Sequence, residues 1–101
     1  MSTQSETTVI EQEEIVVQKP NKYNVIFWND DFTPADFVVQ LLYEIFNKTE
    51  TEAISITNEV HNNGKGIAGT YNFEIAYTKQ SEAVTISRQF DHPLRITLEK
   101  A

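Results

Sequence analysis

The segment from Lys22 to Asn47 constrains the fold more than any other part of this 101-residue chain. It begins with KYNVIFW (22–28), whose β-branched and aromatic residues are typical of a buried β-strand. The strand stops at the turn-forming run NDDFTP (29–34). Apolar residues then recur every three or four positions, which predicts an amphipathic helix to about Asn47. The expected inward face of this helix consists of Phe37, Val38, Leu41, Leu42, Ile45 and Phe46.

The start of this helix is predicted from three neighbouring residues. Thr33 is a favoured N-cap residue, and Pro34 suits the first helical position because it has no backbone N–H to leave unpaired. Asp36 follows three positions after the proposed cap, as in a capping box.

The rest of the chain predicts two more helices and two more strands. Thr49-x-x-Glu52 is a second capping box, which opens a helix to about Asn62. A short strand over 66–71 follows, and then a helix to about Phe90 with Asn72 as its N-cap. The inward residues expected on that last helix are Ile75, Ala76, Ala83, Ile86 and Phe90. The alternating apolar residues Leu94, Ile96 and Leu98 predict a final half-buried strand.

The predicted order is therefore β-α-α-β-α-β. It favours an α+β fold in which a three-stranded, mostly antiparallel sheet packs with helices on one face. Residues 1–20 differ in composition, with no aromatic residue and four Glu against one Lys. We expect a flexible N-terminal extension over 1–20 and a single domain over 21–101.

Charge and residue usage exclude several classes of function. The chain has 15 acidic and 8 basic residues, giving a net charge of −7, and no basic stripe that would suit nucleic acid. It has no cysteine, so thiolate metal sites and cysteine nucleophiles are excluded. No apolar run approaches the roughly 18 residues of a membrane span. We expect a cytoplasmic protein without a cofactor.

Taken singly, the polar residues near the turn have ordinary explanations. Asp30 and Asp31 are residue types that serve as paired catalytic acids or, with Asn29, as ligands of a hard cation. Asn and Asp are also the residues that turns prefer. His61 lies near the end of a predicted helix, where the helix dipole favours a histidine. The glycines between 64 and 69 match neither a P-loop nor a dinucleotide fingerprint.

Taken together, the motifs resemble a known family, the ClpS adaptors. These proteins deliver N-degron substrates to the ClpA-type unfoldase of the ClpAP protease. The resemblance spans about 22–101, and its motifs form a specific combination. They are Tyr23-x-Val25, NDDFTP (29–34), Phe37-Val38, Val60-His61, Gly64-Lys65, Gly69, Glu74, Thr78-Lys79, HPL (92–94) and TLEKA (97–101).

The resemblance implies a site for the free N-terminus of another polypeptide. Asn29, Asp31 and His61 would hold its α-amino group, whose three N–H donors need acceptors. The family's pocket takes the first side chain, preferably Leu, Phe, Tyr or Trp. The residues that match its wall and rim are Asp30, Thr33, Pro34, Ala35, Val38, Thr57 and Leu94.

Two wall positions depart from the family's usual pattern. Ala35 and Thr57 stand where the family commonly has Met. Both side chains are shorter, and Thr57 adds a hydroxyl. The resemblance therefore predicts a wider and less apolar pocket that admits β-branched Ile or Val as well.

The resemblance also implies a protein partner and a monomeric state. The N-terminal domain of a ClpA-type AAA+ unfoldase would bind through Glu74 and Lys79, and residues 1–20 would also engage it. The chain is expected not to be an enzyme. The alternative is a general protein-interaction domain of the same fold, resembling the C-terminal domain of the ribosomal stalk protein L7/L12. A hydrolase that depends on Asp30 or Asp31 has little support.

Overall fold

The computed structural model describes residues 21–101, so the predicted flexible extension over 1–20 lies outside the described residues. The six elements are β1 (Lys22–Trp28), α1 (Ala35–Glu44), α2 (Glu50–Asn63), β2 (Lys65–Asn72), α3 (Phe73–Gln89) and β3 (Arg95–Lys100). This order confirms the predicted β-α-α-β-α-β arrangement and the α+β class.

The three strands form one sheet in the order β2-β1-β3, and both strand pairs are antiparallel. Strand β1 lies in the centre, and its Val25, Ile26 and Phe27 are all buried. Val25 pairs with Gly69 and Ile26 with Ile67, so β2 carries one extra residue in a β-bulge.

The helices cover one face of the sheet, as predicted. Helix α3 packs on all three strands, and α2 packs on α1 and β2. The other face carries Trp28, whose indole N–H donates to the Thr97 hydroxyl at 2.8 Å. The cations of Lys65 and Arg95 lie 5.1 and 4.7 Å from the centre of the Trp28 ring. The main core consists of Val25, Phe27, Val38, Leu41, Leu42, Ile45, Phe46, Ala53, Val60, Ala68, Ala76, Ala83, Leu94 and Ile96.

The predicted start of α1 is wrong by one residue, and its predicted cap is absent. The helix begins at Ala35, with Pro34 at the N-cap position and no side-chain cap. The Thr33 hydroxyl donates to the Asp30 carboxylate at 2.8 Å, so Asp30 takes the hydroxyl that was expected to cap the helix. Asp36 lies in the first turn but completes no capping box.

The end of α1 also differs from the prediction. The helix ends at Glu44, and Asn47 has a left-handed backbone with φ of 56°. The chain reverses there, and the Lys48 N–H donates to the Leu42 carbonyl at 3.1 Å. The Lys79 ammonium donates to the Ile45 carbonyl at 2.7 Å, which supplies a cation at the helix C-terminus.

The predicted caps of α2 and α3 are confirmed. Thr49 and Glu52 form a reciprocal capping box, and the Asn72 side chain accepts from the Ile75 N–H at 3.1 Å. Among the apolar residues expected to face inward from α3, Ala76 and Ala83 are fully buried and Ile86 is half-buried.

Two other residues expected to face inward from α3 do not. Ile75 is 45% exposed and Phe90 is 61% exposed. The buried side chains of the helix are the small Ala76, Ala83 and Ser87, which let it pack closely on the sheet. Ile75 lies beside that line, and Phe90 lies past the end of the helix.

Candidate functional site

A cavity of about 420 Å³ opens where β1 ends, between the turn over 29–34 and helices α1 and α2. Most of the residues predicted for the site meet there. Pro34 and Leu94 do not line the cavity: Pro34 is exposed, and Leu94 is fully buried in the core. The lining consists of Asn29, Asp30, Asp31, Thr33, Ala35, Val38, Thr57, Asn58, Val60 and His61.

A backbone connection through Gly64 joins the two sides of the cavity. Gly64 ends α2 with a left-handed backbone, φ of 89°, and its N–H donates to the Val60 carbonyl at 3.0 Å. Its own carbonyl accepts from the Asn29 N–H at 2.9 Å. A residue with a Cβ adopts this φ at a cost, so glycine suits the position. The connection fixes Asn29 beside the last turn of α2, which carries His61.

The start of β2 lies close against the same helix. A Cβ added at Gly66 would lie 2.9 Å from a methyl carbon of Val60 and 3.5 Å from the Ile56 carbonyl oxygen. The absence of a side chain therefore lets the strand approach α2 directly. Val60 lines the cavity on the other side, so this contact also sets the position of the cavity wall.

The turn over 29–34 is organised by Asp30. One oxygen of its carboxylate accepts from the Phe32 N–H at 2.8 Å and from the Thr33 N–H at 2.7 Å. The other oxygen accepts from the Thr33 hydroxyl. Three donors on this carboxylate hold the turn in one conformation.

These bonds also set the pKa of Asp30. Partial burial alone would raise this pKa, but the hydrogen bonds from Thr33 and Phe32 and the nearby charge of His92 outweigh it. The net result is a pKa below the ordinary aspartate value, so the carboxylate is held in its ionised form. The His92 ring in turn contacts Phe37, with 4.5 Å between ring centres.

Asn29, Asp31 and His61 lie exposed around the cavity. Within residues 21–101 their side chains make no hydrogen bond or ion pair, in contrast to the side chain of Asp30. One carboxylate, one amide and one imidazole therefore remain available to a ligand. Together they offer acceptors to a positively charged donor group.

The deeper wall of the cavity is formed by buried side chains. Val38, Thr57 and Val60 are 6, 7 and 4% exposed. The Thr57 hydroxyl donates to the Ala53 carbonyl one helical turn earlier, at 2.8 Å. The hydroxyl proton of Thr57 is therefore already bonded within the helix and is not available as a donor to a ligand.

Two lining residues, Asn58 and Val60, were not predicted as site residues. Both lie on the helix that carries Thr57 and His61. Asn58 precedes His61 by three positions, a spacing that places two side chains on one face of a helix. That spacing is the sequence signal that could have identified Asn58.

Glu74 and Lys79 lie on α3 and do not line the cavity. Glu74 is exposed in the first turn of the helix. Lys79 is partly buried, and besides its bond to Ile45 its ammonium lies 5.4 Å from the centre of the Tyr71 ring.

Over residues 21–101 no three His, Asp or Glu side chains come together in a group that could hold a metal ion. Across the same residues no helix combines the length and apolar character that crossing a membrane requires.

Comparison with known proteins gives one consistent family. Residues 18–97 match the model of the ATP-dependent Clp protease adaptor protein ClpS. The ClpS adapter protein of Shewanella loihica is 46% identical over 91 residues, which cover 90% of this chain and 89% of the relative. The one from Paraburkholderia xenovorans is 43% identical over 94 residues, covering 93% and 90%.

A solved structure agrees with these relatives. Agrobacterium tumefaciens ClpS2, described as bound to L-phenylalaninamide, superposes with a TM-score of 0.79 at 30% identity. The match covers 82% of this chain and all of that one. From the family model, the relatives and the shared fold, we conclude that this chain belongs to the ClpS family of adaptor proteins of the ATP-dependent Clp protease.

Proposed function

We propose that the cavity binds the free N-terminal residue of a polypeptide, which the adaptor then delivers to a ClpA-type unfoldase for degradation. One observation carries this proposal: polar side chains that are unpaired within residues 21–101 surround a cavity whose deeper wall is apolar. A first residue has the matching shape, with an ammonium group beside an apolar side chain. Agrobacterium tumefaciens ClpS2, which shares the fold, was solved with an amino-acid amide of this kind.

The amine end of the ligand would bind Asn29, Asp31 and His61. An ammonium has three N–H donors, and these side chains offer an amide oxygen, a carboxylate and a neutral imidazole nitrogen. A residue inside a chain presents at most one N–H and no charge. It would leave acceptors unpaired on binding, which is how the site would exclude internal residues.

Titration with peptides tests this proposal. A peptide with N-terminal Phe should bind, and the same peptide with an acetylated N-terminus should lose most of its affinity. Isothermal titration calorimetry measures both. Equal affinity for the two peptides would contradict the proposal and favour the alternative of a general protein-interaction domain.

The apolar wall would select the first side chain. Burying a large apolar side chain contributes about 1.5–3 kcal/mol, which is enough to prefer Leu or Phe over a small residue. Ala35 is short, and the hydroxyl proton of Thr57 is bonded within the helix, so the space near them suits a branched carbon chain. We therefore propose that Ile and Val bind in addition to Leu, Phe, Tyr and Trp.

The variant Ala35→Met tests this selectivity. It should weaken binding of a peptide with N-terminal Ile roughly tenfold relative to one with N-terminal Leu, because the longer side chain fills the space beside a branched β-carbon. Asp36→Ala, an exposed change one residue further along α1, is the matched control. If the native protein binds Ile and Ala peptides equally weakly, the broader selectivity is wrong.

Docking on the N-terminal domain of the unfoldase would use Glu74 and Lys79. Glu74 is exposed and able to pair with a cation of the partner. Lys79 already bonds to Ile45, so its replacement changes the adaptor's own stability as well. Binding of the isolated unfoldase domain to Glu74→Ala and Lys79→Met, measured beside thermal unfolding, separates the two effects. Unchanged binding by Glu74→Ala would remove Glu74 from the interface.

A further inference from the structure

Asn58 lines the cavity but is not one of the three residues proposed to bind the amine. It is exposed on α2, next to Thr57 and three positions before His61, and it lines the cavity with both. The apolar wall at Thr57 and Val60 lies beneath it in the same helix. Asn58 therefore stands beside His61 of the proposed amine site, on the exposed side of the cavity.

The side chain of Asn58 makes no hydrogen bond to any other residue in the described range 21–101, whereas the side chains of Asn24 and Asn72 do. Asn72 caps α3, and Asn24 accepts from the Thr70 hydroxyl at 2.6 Å. A carboxamide carries two N–H donors and an oxygen acceptor. Asn58 can thus both donate to a ligand and accept from it.

We propose that Asn58 binds the first peptide unit of the polypeptide and so contributes to specificity. This inference rests on the proposed function above. Asn29, Asp31 and His61 already match the three donors of the ammonium. The next polar groups along the ligand are the carbonyl of its first residue and the N–H of its second. These groups lose water when the ligand enters the cavity, so each needs a partner. The Asn58 amide supplies a donor for the carbonyl and an acceptor for the N–H.

Two small ligands isolate this contact. L-Phenylalaninamide and 2-phenylethylamine share the ammonium and the benzyl side chain, but only the amide has the carbonyl and its nitrogen. Calorimetric titration of both into the native protein and into Asn58→Ala compares them directly. Asn62→Ala is the matched control, because Asn62 is exposed on the same helix and does not line the cavity.

We expect Asn58→Ala to weaken L-phenylalaninamide about two- to tenfold and to leave 2-phenylethylamine unchanged. Asn62→Ala should change neither affinity. Equal weakening of both ligands, or no weakening of the amide, would overturn the assignment of Asn58 while leaving the proposed function in place. If the native protein binds neither ligand, the proposed function fails, and the inference fails with it. A thermal unfolding curve for Asn58→Ala shows that the variant is folded.

Discussion

The cavity has two walls that are held in place in different ways. The turn wall, residues 29–34, takes its shape from hydrogen bonds that converge on the Asp30 carboxylate. The helix wall, residues 57–61 of α2, takes its shape from the burial of Thr57 and Val60 in the protein. On both walls, structural residues and exposed polar residues are neighbours in sequence. A residue's neighbours in sequence therefore do not reveal whether it is available to a ligand.

The largest effect is expected on the turn wall, where Asp30 and Asp31 are adjacent but differ in role. Asp31→Ala should weaken binding of an N-terminal Phe peptide roughly 10- to 100-fold, because a hydrogen bond to a charged group contributes about 1.5–3 kcal/mol. Its free energy of unfolding should not change, since Asp31 is exposed and unpaired within residues 21–101. Calorimetry and chemical denaturation give the two values.

Asp30→Ala is the matched variant and should lower both the peptide affinity and the free energy of unfolding. It removes the acceptor of three bonds, so the turn loses its fixed shape and the free energy of unfolding falls by about 1–3 kcal/mol. If Asp31→Ala destabilises the protein as much as Asp30→Ala does, the division of roles between these two residues is wrong.

The hydroxyls of Thr49 and Thr33 show what the sequence could and could not predict. The Thr49–Glu52 capping box was predicted because both partners belong to one short motif, and it formed. Thr33 has the same local pattern, yet its hydroxyl bonds to Asp30 instead. Two acceptable local bonds competed there, and residue preferences alone do not rank them.

The packing of α3 on the sheet also limited the prediction, because it decides which residues of the helix are buried. The order of elements follows from apolar periodicity, but the inward line of α3 runs through Ala76, Ala83 and Ser87 and misses Ile75 and Phe90. Large apolar residues were expected inside because burial stabilises them, whereas the close contact between α3 and the sheet favours small ones. The choice between these two effects depends on the distance between the elements, which periodicity does not give.

On the helix wall, Gly66→Ala should show that the position of Val60 depends on packing. The added Cβ would lie 2.9 Å from a Val60 methyl carbon, closer than van der Waals contact allows. We expect a loss of about 1–3 kcal/mol in the free energy of unfolding. Gly69 lies in the same strand and does not line the cavity, and a Cβ there would overlap the Tyr71 side chain, so Gly69→Ala crowds β2 at a site outside the cavity. If crowding of Val60 alters the cavity, Gly66→Ala should change the peptide affinity and Gly69→Ala should not. Equal changes in peptide affinity for the two variants would contradict this.

The contribution of the turn wall to stability should depend on pH through Asp30. The pKa of Asp30 is lowered in the folded protein, so its contribution is present above the ordinary aspartate pKa of about 3.9 and is lost as the pH falls through the folded value. The difference in unfolding free energy between the native protein and Asp30→Asn should therefore shrink on acidification from about pH 5 to pH 3.

Glu52 is the necessary control for that experiment, because the capping box also lowers its pKa. Glu52→Gln removes the second acid-sensitive contribution. The protein with Glu52→Gln alone is then compared with the protein that carries both Glu52→Gln and Asp30→Asn. A difference that stays constant from about pH 5 to pH 3 would show that the Asp30 bonds do not depend on ionisation.

The smallest effect is expected for Thr57→Val on the helix wall. The hydroxyl of Thr57 donates to the Ala53 carbonyl, and that carbonyl keeps its helical backbone partner when the hydroxyl is removed. We expect both the free energy of unfolding and the affinity for N-terminal Leu and Ile peptides to change by less than about 0.5 kcal/mol. The variant Thr57→Met should instead weaken the Ile peptide relative to the Leu peptide, because it fills the cavity. A rise of tenfold or more in Ile affinity on Thr57→Val would mean that the hydroxyl faces the ligand and that this wall is polar.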